Sequence, residues 1–460
     1  TLITDEASLV RTFGYPSATH LGLYAALRYL KKGRALKFVR VANYDVKASI
    51  PLLNALGETA GEAQALTSGS WANGLQVKVE ASTYFAGAYK IQVIDNSVVV
   101  ETFDNCVLAL PSSDNYWVTK INASSSYITI TNVDDTKTDL AAATYTLAGG
   151  DDGAPADYTD YVGVVGTPPA VPATGLKLFS NAETIDVNIL ACPGISDKAV
   201  ISELLSICES RGDCFALIDP PYGMTVQQVV DWHNGLGSGD RDPDTALSSS
   251  YAAVYWPWIQ EYDGYNDADV WTPPSGHVAM VMAFTDQVAD PWWAPAGLSR
   301  AILSHALSIE HSATQGERDF LYANGNAVNP ICSFNAQGTV IWGQRTLKRT
   351  HSSTDRINVR RMVLYLRKVI ARAAIQLVFE PGDEITYRSL VNLIEPTLES
   401  VRARRGITDF RVICDSTTNT PDVIDRGEIR GNVLIKPTKT AEVINIQFTL
   451  LSSGAVFEEV

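Results

Sequence analysis

Cysteine is scarce in this chain of 460 residues, and the six present (Cys106, Cys192, Cys208, Cys214, Cys332 and Cys414) never form a CxxC pair. Structural zinc needs thiolates or imidazoles clustered at short spacing, so that chemistry has no foothold. The thiols read as reduced and mostly buried, in a chain that folds in a cytoplasm. No run reaches the ~18 apolar residues that a membrane span requires, and stable membrane insertion is not expected. Nothing near the first residue resembles a basic segment followed by an apolar one, the mark of a secretion leader. Residue 1 is Thr, which suggests that the numbering starts inside a longer chain. There are 32 glycines, yet neither GxGxxG nor GxxxxGKS/T occurs, so dinucleotide and P-loop chemistry lack their motifs. No serine sits in a GxSxG elbow. Internal repeats and low-complexity tracts are absent too.

What is there is an ordinary globular composition. Hydrophobic residues make up 46% and charged ones 19%, enough for packed cores, and the length suits about two to four domains. The net charge of −15 is unevenly placed. Residues 345–460 hold 18 basic against 14 acidic side chains, which leaves 18 against 37 for residues 1–344. An acidic body with a basic C-terminal piece points to two faces with different partners. The excess is too weak for a nucleic-acid binder, so no direct nucleic-acid contact is expected.

The local pattern predicts an α/β and α+β multidomain fold. Residues 1–67 open the α/β body with a helix over 17–33, capped by Ser17, and a buried strand Leu36–Val41. Residues 68–148 change texture: short Val-, Ile- and Tyr-rich runs, punctuated by Gly, Asn and Asp, predict an inserted all-β sandwich or barrel. Residues 149–345 alternate strands (Val187–Ala191, Cys214–Asp219, Ala252–Trp256) with helices (Lys198–Arg211, Val226–His233), and add a further apolar run at His277–Thr285. That is βαβ logic and implies a partly parallel sheet. Residues 346–460 begin with a long helix near Asn358–Phe379 and end in a strand, Val443–Leu450. Its Ile444, Ile446, Phe448 and Leu450 alternate with polar residues.

Several constellations invite an enzyme reading. Asp219 with His233 or His277 and Ser248 or Ser299 would make a triad, but six histidines and many serines assemble such sets by chance. Gly149–Gly153 offers two carboxylates in a loop, better read as a turn between domains than as a cation site. Trp256, Trp258, Trp292 and Trp293 read as core or interface aromatics rather than a sugar-stacking platform. No cofactor is expected. The alternative class, an α/β hydrolase or carbohydrate-active enzyme with a β module, would need a catalytic pair in a deep pocket.

The long helix is more informative. Met362, Val363, Leu366, Val369, Ile370, Ala373 and Leu377 fall on one arc. Arg356, Arg360, Arg361, Arg367, Lys368 and Arg372 occupy much of the opposite side. The expectation is a helix that packs its apolar stripe on the body and presents cations outward to an acidic partner.

In order along the chain, the motifs resemble those of the contractile phage tail sheath family, also found in phage-derived bacteriocins. They are Phe13-Gly14, Ser68–Asn73, Gly149–Gly153, Ile218–Pro221 and Tyr255–Trp258. Pro273–Ala279, Trp293–Gly297, Val328–Ile331, Ile341–Leu347, Asn358–Arg361, Phe379–Pro381 and Cys414-Asp415 follow. Asp290-Pro291-Trp292 departs from the usual Gly-containing lead into the Trp293–Gly297 motif. The chain also begins close to its Phe-Gly pair, as if the family's N-terminal arm were partly missing. The resemblance implies a structural protein and no enzyme. It would polymerise with itself as stacked hexameric rings around a tail tube protein, bounded by baseplate and tail terminator proteins. Assembly in the host cytoplasm and residence in the virion tail follow, with contraction driving the tube through the host envelope. Arg360, Arg361, Arg367, Lys368 and Arg372 would then dock on the tube. The strand carrying Val443, Ile444, Ile446, Phe448 and Leu450, with Val456 and Phe457 beyond it, would link neighbouring subunits by strand exchange.

Overall fold

The computed structural model describes residues 2–109, 111–133, 138–167, 172–236 and 246–442. Among these, no helix is long and apolar enough to cross a membrane. The expected strand Val443–Leu450, and with it Val456 and Phe457, lies outside the described residues.

The centre is a five-stranded sheet in the order Ile189–Ala191, Phe215–Ile218, Ala252–Trp256, Val328–Phe334, Gly338–Ile341. The first four strands run parallel and the last antiparallel. Phe-Ala-Leu-Ile and Ala-Ala-Val-Tyr-Trp are buried throughout because both faces of the sheet are covered. Ala216 and Ile218 pack with Val200, Ile201 and Leu204 of the helix Lys198–Arg211. Phe215 and Leu217 point the other way, onto Val278, Val281 and Met282. The run His277–Thr285 is the middle of that second covering helix, Pro274–Val288, which Pro274 opens with its preset φ.

The helix expected over 17–33, second in the chain after Glu6–Phe13, is shorter than the pattern suggests. It spans Leu21–Leu30 with His20 at the N-cap, and Ser17 Oγ lies 2.7 Å from His20 Nδ1 instead of capping the backbone. The strand expected at Leu36–Val41 is only Leu36–Lys37, paired with Leu2–Ile3. Beyond it Phe38 packs edge-on against Phe13, in a small core of its own with Leu9 and Leu27.

The β module begins earlier than residue 68. Ser49–Leu53 and Thr59–Ala65 pair with each other and then with Ile128–Asn132, so they belong to the module and not to the body. A second sheet joins Val98–Cys106, Tyr89–Asp95, Gln76–Ala81 and Ala143–Thr146. Between the two sheets lies one continuous core, from Ala48 to Leu147. The module is also not all-β, since the helix Trp117–Ser124 closes it. Thr59–Ala65 escapes a strand pattern because it is Ala- and Gly-rich, and the reason is steric. A Cβ on Gly61 would come within 2.3 Å of the buried Trp117 ring. A ladder of bridges, Asn43 to Ala154, Val46 to Asp151 and Ser49 to Ala148, forms the neck to the body.

The C-terminal unit consists of the helix Ile357–Ala374, the helix Glu384–Ala403 and the hairpin Ile407–Ile413 with Asn432–Pro437. The long helix ends short of Phe379: a 3-10 turn, Ile375–Leu377, finishes it before Pro381.

Candidate functional site

The long helix Ile357–Ala374 is the joint between the C-terminal unit and the body. Its apolar arc is buried as the spacing predicts, but chiefly against the C-terminal unit's own helix Glu384–Ala403 and hairpin and not on the body as expected. Met362 and Leu366, with Val363 and Ile370 beside them, pack on Ile394, Leu398, Val401 and Ile407. On the opposite side Arg367 and Arg372 stay exposed, whereas for Arg360, Arg361 and Lys368 the outward-cation expectation is corrected. Ile357 and Leu364 of that side join the core under the central sheet, and these three cations are drawn in with them.

Arg360 is buried, bonded to Ser250, with its guanidinium 4.2 Å from the centre of the Tyr251 ring. Burial pushes its pKa down. Arg361 is buried and donates to Asp286 on the covering helix at 2.5 Å. Lys368 donates to Asp186 (2.6 Å), to the Val187 carbonyl (2.9 Å) and to Asn188 (2.8 Å). Its hydrogen bond holds the Asp186 carboxyl below the ordinary carboxylate range. Arg372 also reaches Asp186 but keeps an exposed side chain. Arg367 is exposed as well, and donates to the Tyr251 hydroxyl at 3.2 Å. Arg356, at the N-cap, grips Glu442 with two bonds of 2.6 and 2.8 Å, tying down the last described residue. Arg360, Arg361 and Lys368 are therefore interdomain brackets. The helical wheel places cations on one side but does not say whether water or carboxylates lie there.

The catalytic set does not assemble. Asp219 ends its strand fully buried and accepts from Ser275 N (2.8 Å), Ser275 Oγ (2.6 Å) and Gly194 N (3.1 Å). It thus serves the N-terminus of the helix Pro274–Val288, where backbone N–H groups lack partners and the dipole favours an anion. Burial still pushes its pKa up to about 6. Ser275 Oγ donates to this carboxylate, and no histidine base faces it among the described residues.

His277 is engaged elsewhere. Thr272 Oγ1 donates to the Ile259 carbonyl (3.2 Å), so it accepts from His277 Nε2 (2.9 Å). His277 Nδ1 is then the acceptor for His305 Nε2 at 2.7 Å. Ring centroids 4.9 Å apart and nearly parallel planes fit two coplanar rings meeting edge to edge through that bond. Glu261 pairs with Arg28 of the helix Leu21–Leu30. The ligand-type atoms of Glu261, His277 and His305 lie within 4.8 Å of one another. A cation there would have to displace the shared proton and sit beside Arg28, so the group reads as a buried polar pin for the helix Leu21–Leu30. Burial drives both histidines toward the neutral form, His305 to about 3 and His277 well below its usual value.

The other candidates are structural too. Asp152 accepts from Ser70 N at 2.9 Å and Asp151 from Gly153 N at 2.9 Å, so the acidic loop braces the neck of the β module. Trp256, Trp258 and Trp292 are buried. Trp293 is half-buried, with Arg300 5.1 Å and Arg405 5.5 Å from its ring centre.

Comparison with known families gives the class. The phage tail sheath protein central domain matches residues 154–347, and the phage tail sheath C-terminal domain matches residues 350–450. The chain belongs to the phage tail sheath family, whose members are structural proteins of contractile tails. The tail sheath protein of Vibrio phage KVP40 is 33% identical over 351 residues, 74% of this chain and 51% of that protein. The tail sheath protein of Enterobacteria phage T4 is 33% identical over 295 residues, 61% of this chain and 44% of that one. The chain thus spans about half the length of the curated relatives it matches. In fold it is similar to the sheath tail protein of Listeria innocua (TM-score 0.61, 14% identity, 95% of this chain and 91% of that one). It is also similar to the sheath of an extracellular contractile injection system in its contracted state (TM-score 0.51, 24% identity, 60% and 75%).

Proposed function

We propose that this chain is the repeating unit of a contractile sheath, polymerised as stacked hexameric rings around a tail tube in the virion tail. The observation that carries this reading is the uninterrupted succession of the two sheath domains over residues 154–450. Baseplate and terminator proteins bound the polymer, subunits assemble in the host cytoplasm, and contraction drives the tube through the envelope. The work comes from the free-energy difference between two packings of one lattice, so neither nucleotide nor catalysis is required. The brackets on the long helix suit that task, because a subunit that rotates as a rigid body must hold its two units together. Tube docking by this helix rests on Arg367 and Arg372, whose side chains are exposed. Neighbours are linked by strand exchange through 443–460.

Polymerisation tests the reading. The purified chain should form tubes in negative stain, and removal of 452–460 should leave a folded, soluble monomer that does not polymerise. A chain of residues 1–460 that stays monomeric at all concentrations would refute the sheath reading, and normal tubes from the truncated chain would refute the arm.

A further inference from the structure

The helix Glu384–Ala403 closes on a turn in which the Gly406 N–H bonds the Val401 carbonyl (2.8 Å) and the Arg405 N–H bonds the Arg402 carbonyl (3.0 Å). The pivot residue of such a closure takes the left-handed conformation, and glycine is its ordinary occupant. Here the pivot is Arg405, φ 69°. Glycine stands one place later, because a Cβ at Gly406 would lie 2.5 Å from Val401 Cγ1 and 3.0 Å from the Trp292 indole. An arginine kept where glycine is cheaper calls for a reason beyond the turn itself.

Its side chain lines an open cleft of about 440 Å³, between this turn, the end of the helix Pro274–Val288 and the segment 293–300. Three guanidinium groups line the cleft, those of Arg300, Arg404 and Arg405, against one carboxylate, Asp290. Arg404 pairs with Asp290 and uses up that acid. Arg300 and Arg405 have no carboxylate partner among the described residues and lie over Trp293, 5.1 and 5.5 Å from its ring centre. Arg300 reaches only the Ala294 carbonyl, at 3.4 Å, and Arg405 makes no side-chain hydrogen bond among the described residues. The carbonyls that end the helix do not compete for them. That of Ser400 accepts from the Arg404 N–H (3.1 Å), and that of Arg404 from Trp292 Nε1 (3.0 Å). Three cations less one anion leave two uncompensated positive charges, in a chain whose net charge is −15. Two guanidinium groups with free N–H donors, one from the body and one from the C-terminal unit, suit a tetrahedral oxyanion of matching charge. We propose that the cleft binds a phosphate-type dianion, bridged between Arg300 and Arg405. The anion joins the body to the end of the C-terminal unit, a bracket added to that of Arg361 and Asp286. The site lies within one chain and does not depend on the sheath reading.

Calorimetric titration of the chain of residues 1–460 with inorganic phosphate, at constant ionic strength in chloride, tests it. One saturable site per chain is expected. Arg405→Gly is the decisive variant. Glycine suits φ 69°, so the thermal midpoint should hold or rise, yet phosphate affinity should fall by about tenfold or more. Arg300→Gln should lose affinity by a similar factor. Arg388→Gln, which alters an exposed arginine of the same helix, should bind phosphate as the wild type does. Tripolyphosphate and adenosine triphosphate separate a free oxyanion from a nucleotide, and the two should bind alike. A nucleotide that binds where phosphate and tripolyphosphate do not overturns the inference. So does a wild-type chain with no saturable phosphate site, or a phosphate affinity that either Arg405→Gly or Arg300→Gln leaves unchanged.

Discussion

Arg361 of the long helix and Asp286 of the covering helix meet at 2.5 Å, 75 residues apart in sequence, with the arginine buried. The pair fastens the C-terminal unit to the central sheet.

Removing the acid should cost more than removing both charges. Asp286→Ala leaves a buried guanidinium without its carboxylate, for a loss of about 1–3 kcal/mol. Arg361→Met with Asp286→Ala should cost less, since an apolar side chain of similar length leaves no orphaned charge. Urea midpoints of the two proteins decide it, and equal midpoints would mean that the bracket holds nothing.

How much of this was legible beforehand depended on where the information lay. Phe215–Ile218 and Ala252–Trp256 were readable as buried strands because both faces need apolar residues, so the run itself is the signal. The apolar stripe through Met362 and Leu366 was equally plain. The fate of the cations opposite was not, because Asp186 and Asp286 lie 182 and 75 residues from their partners. Spacing within one helix holds no record of them. The early start of the β module was hidden because Thr59–Ala65 is rich in alanine and poor in β-branched side chains, with Gly61 held to glycine by the Trp117 ring. The role of Asp219 as a helix-end acceptor for Ser275 likewise depends on a contact between residues 56 apart.

Gly276 gives a second prediction. A Cβ at this position would lie 2.5 Å from the Ala25 Cα, so the two helices touch backbone to backbone there. Gly276→Val should push the helix Leu21–Leu30 off its seat, at a cost of about 1–3 kcal/mol. Limited proteolysis should then cut near Lys31-Lys32 well before the rest of the chain unfolds. Cutting as slow as in the wild type would show that the contact can be relieved cheaply.

Acid should weaken the fold. Burial lowers His305 to about 3 and His233 to about 4, and His277 well below 6.5. Between pH 6.5 and 4 the unfolded chain therefore binds more protons at these sites than the folded one. Their contribution is intact above pH 6.5 and lost as the pH falls, by up to roughly 1.4 kcal/mol per unit for each histidine. Asp219, raised to about 6 from 3.8, and Glu261, raised by burial, act in the opposite direction and offset part of the loss. Urea midpoints at pH 7, 5.5 and 4.5 should decline, and His233→Phe should flatten the slope. A midpoint independent of pH across that window would contradict this assignment.

The boundary of the β module makes the sharpest test of the fold. Deleting 68–148 removes Ile128–Asn132 and the second sheet but leaves Ser49–Leu53 and Thr59–Ala65 behind. Those two strands would then expose Leu52, Ala60 and Ala63, all fully buried now, along an unpaired edge that invites aggregation. Deleting 46–151 instead cuts at the neck, inside the Asn43–Ala154 bridge, and removes the core from Ala48 to Leu147 as one piece. Because Asn43 and Ala154 already face each other across that bridge, a linker of a few Gly and Ser residues should close the gap with little added entropy cost. The second deletion should give soluble protein whose thermal unfolding keeps the transition of the central sheet, and the first should precipitate on expression. If the 68–148 deletion is the soluble one, the strands at 49–53 and 59–65 belong to the body after all.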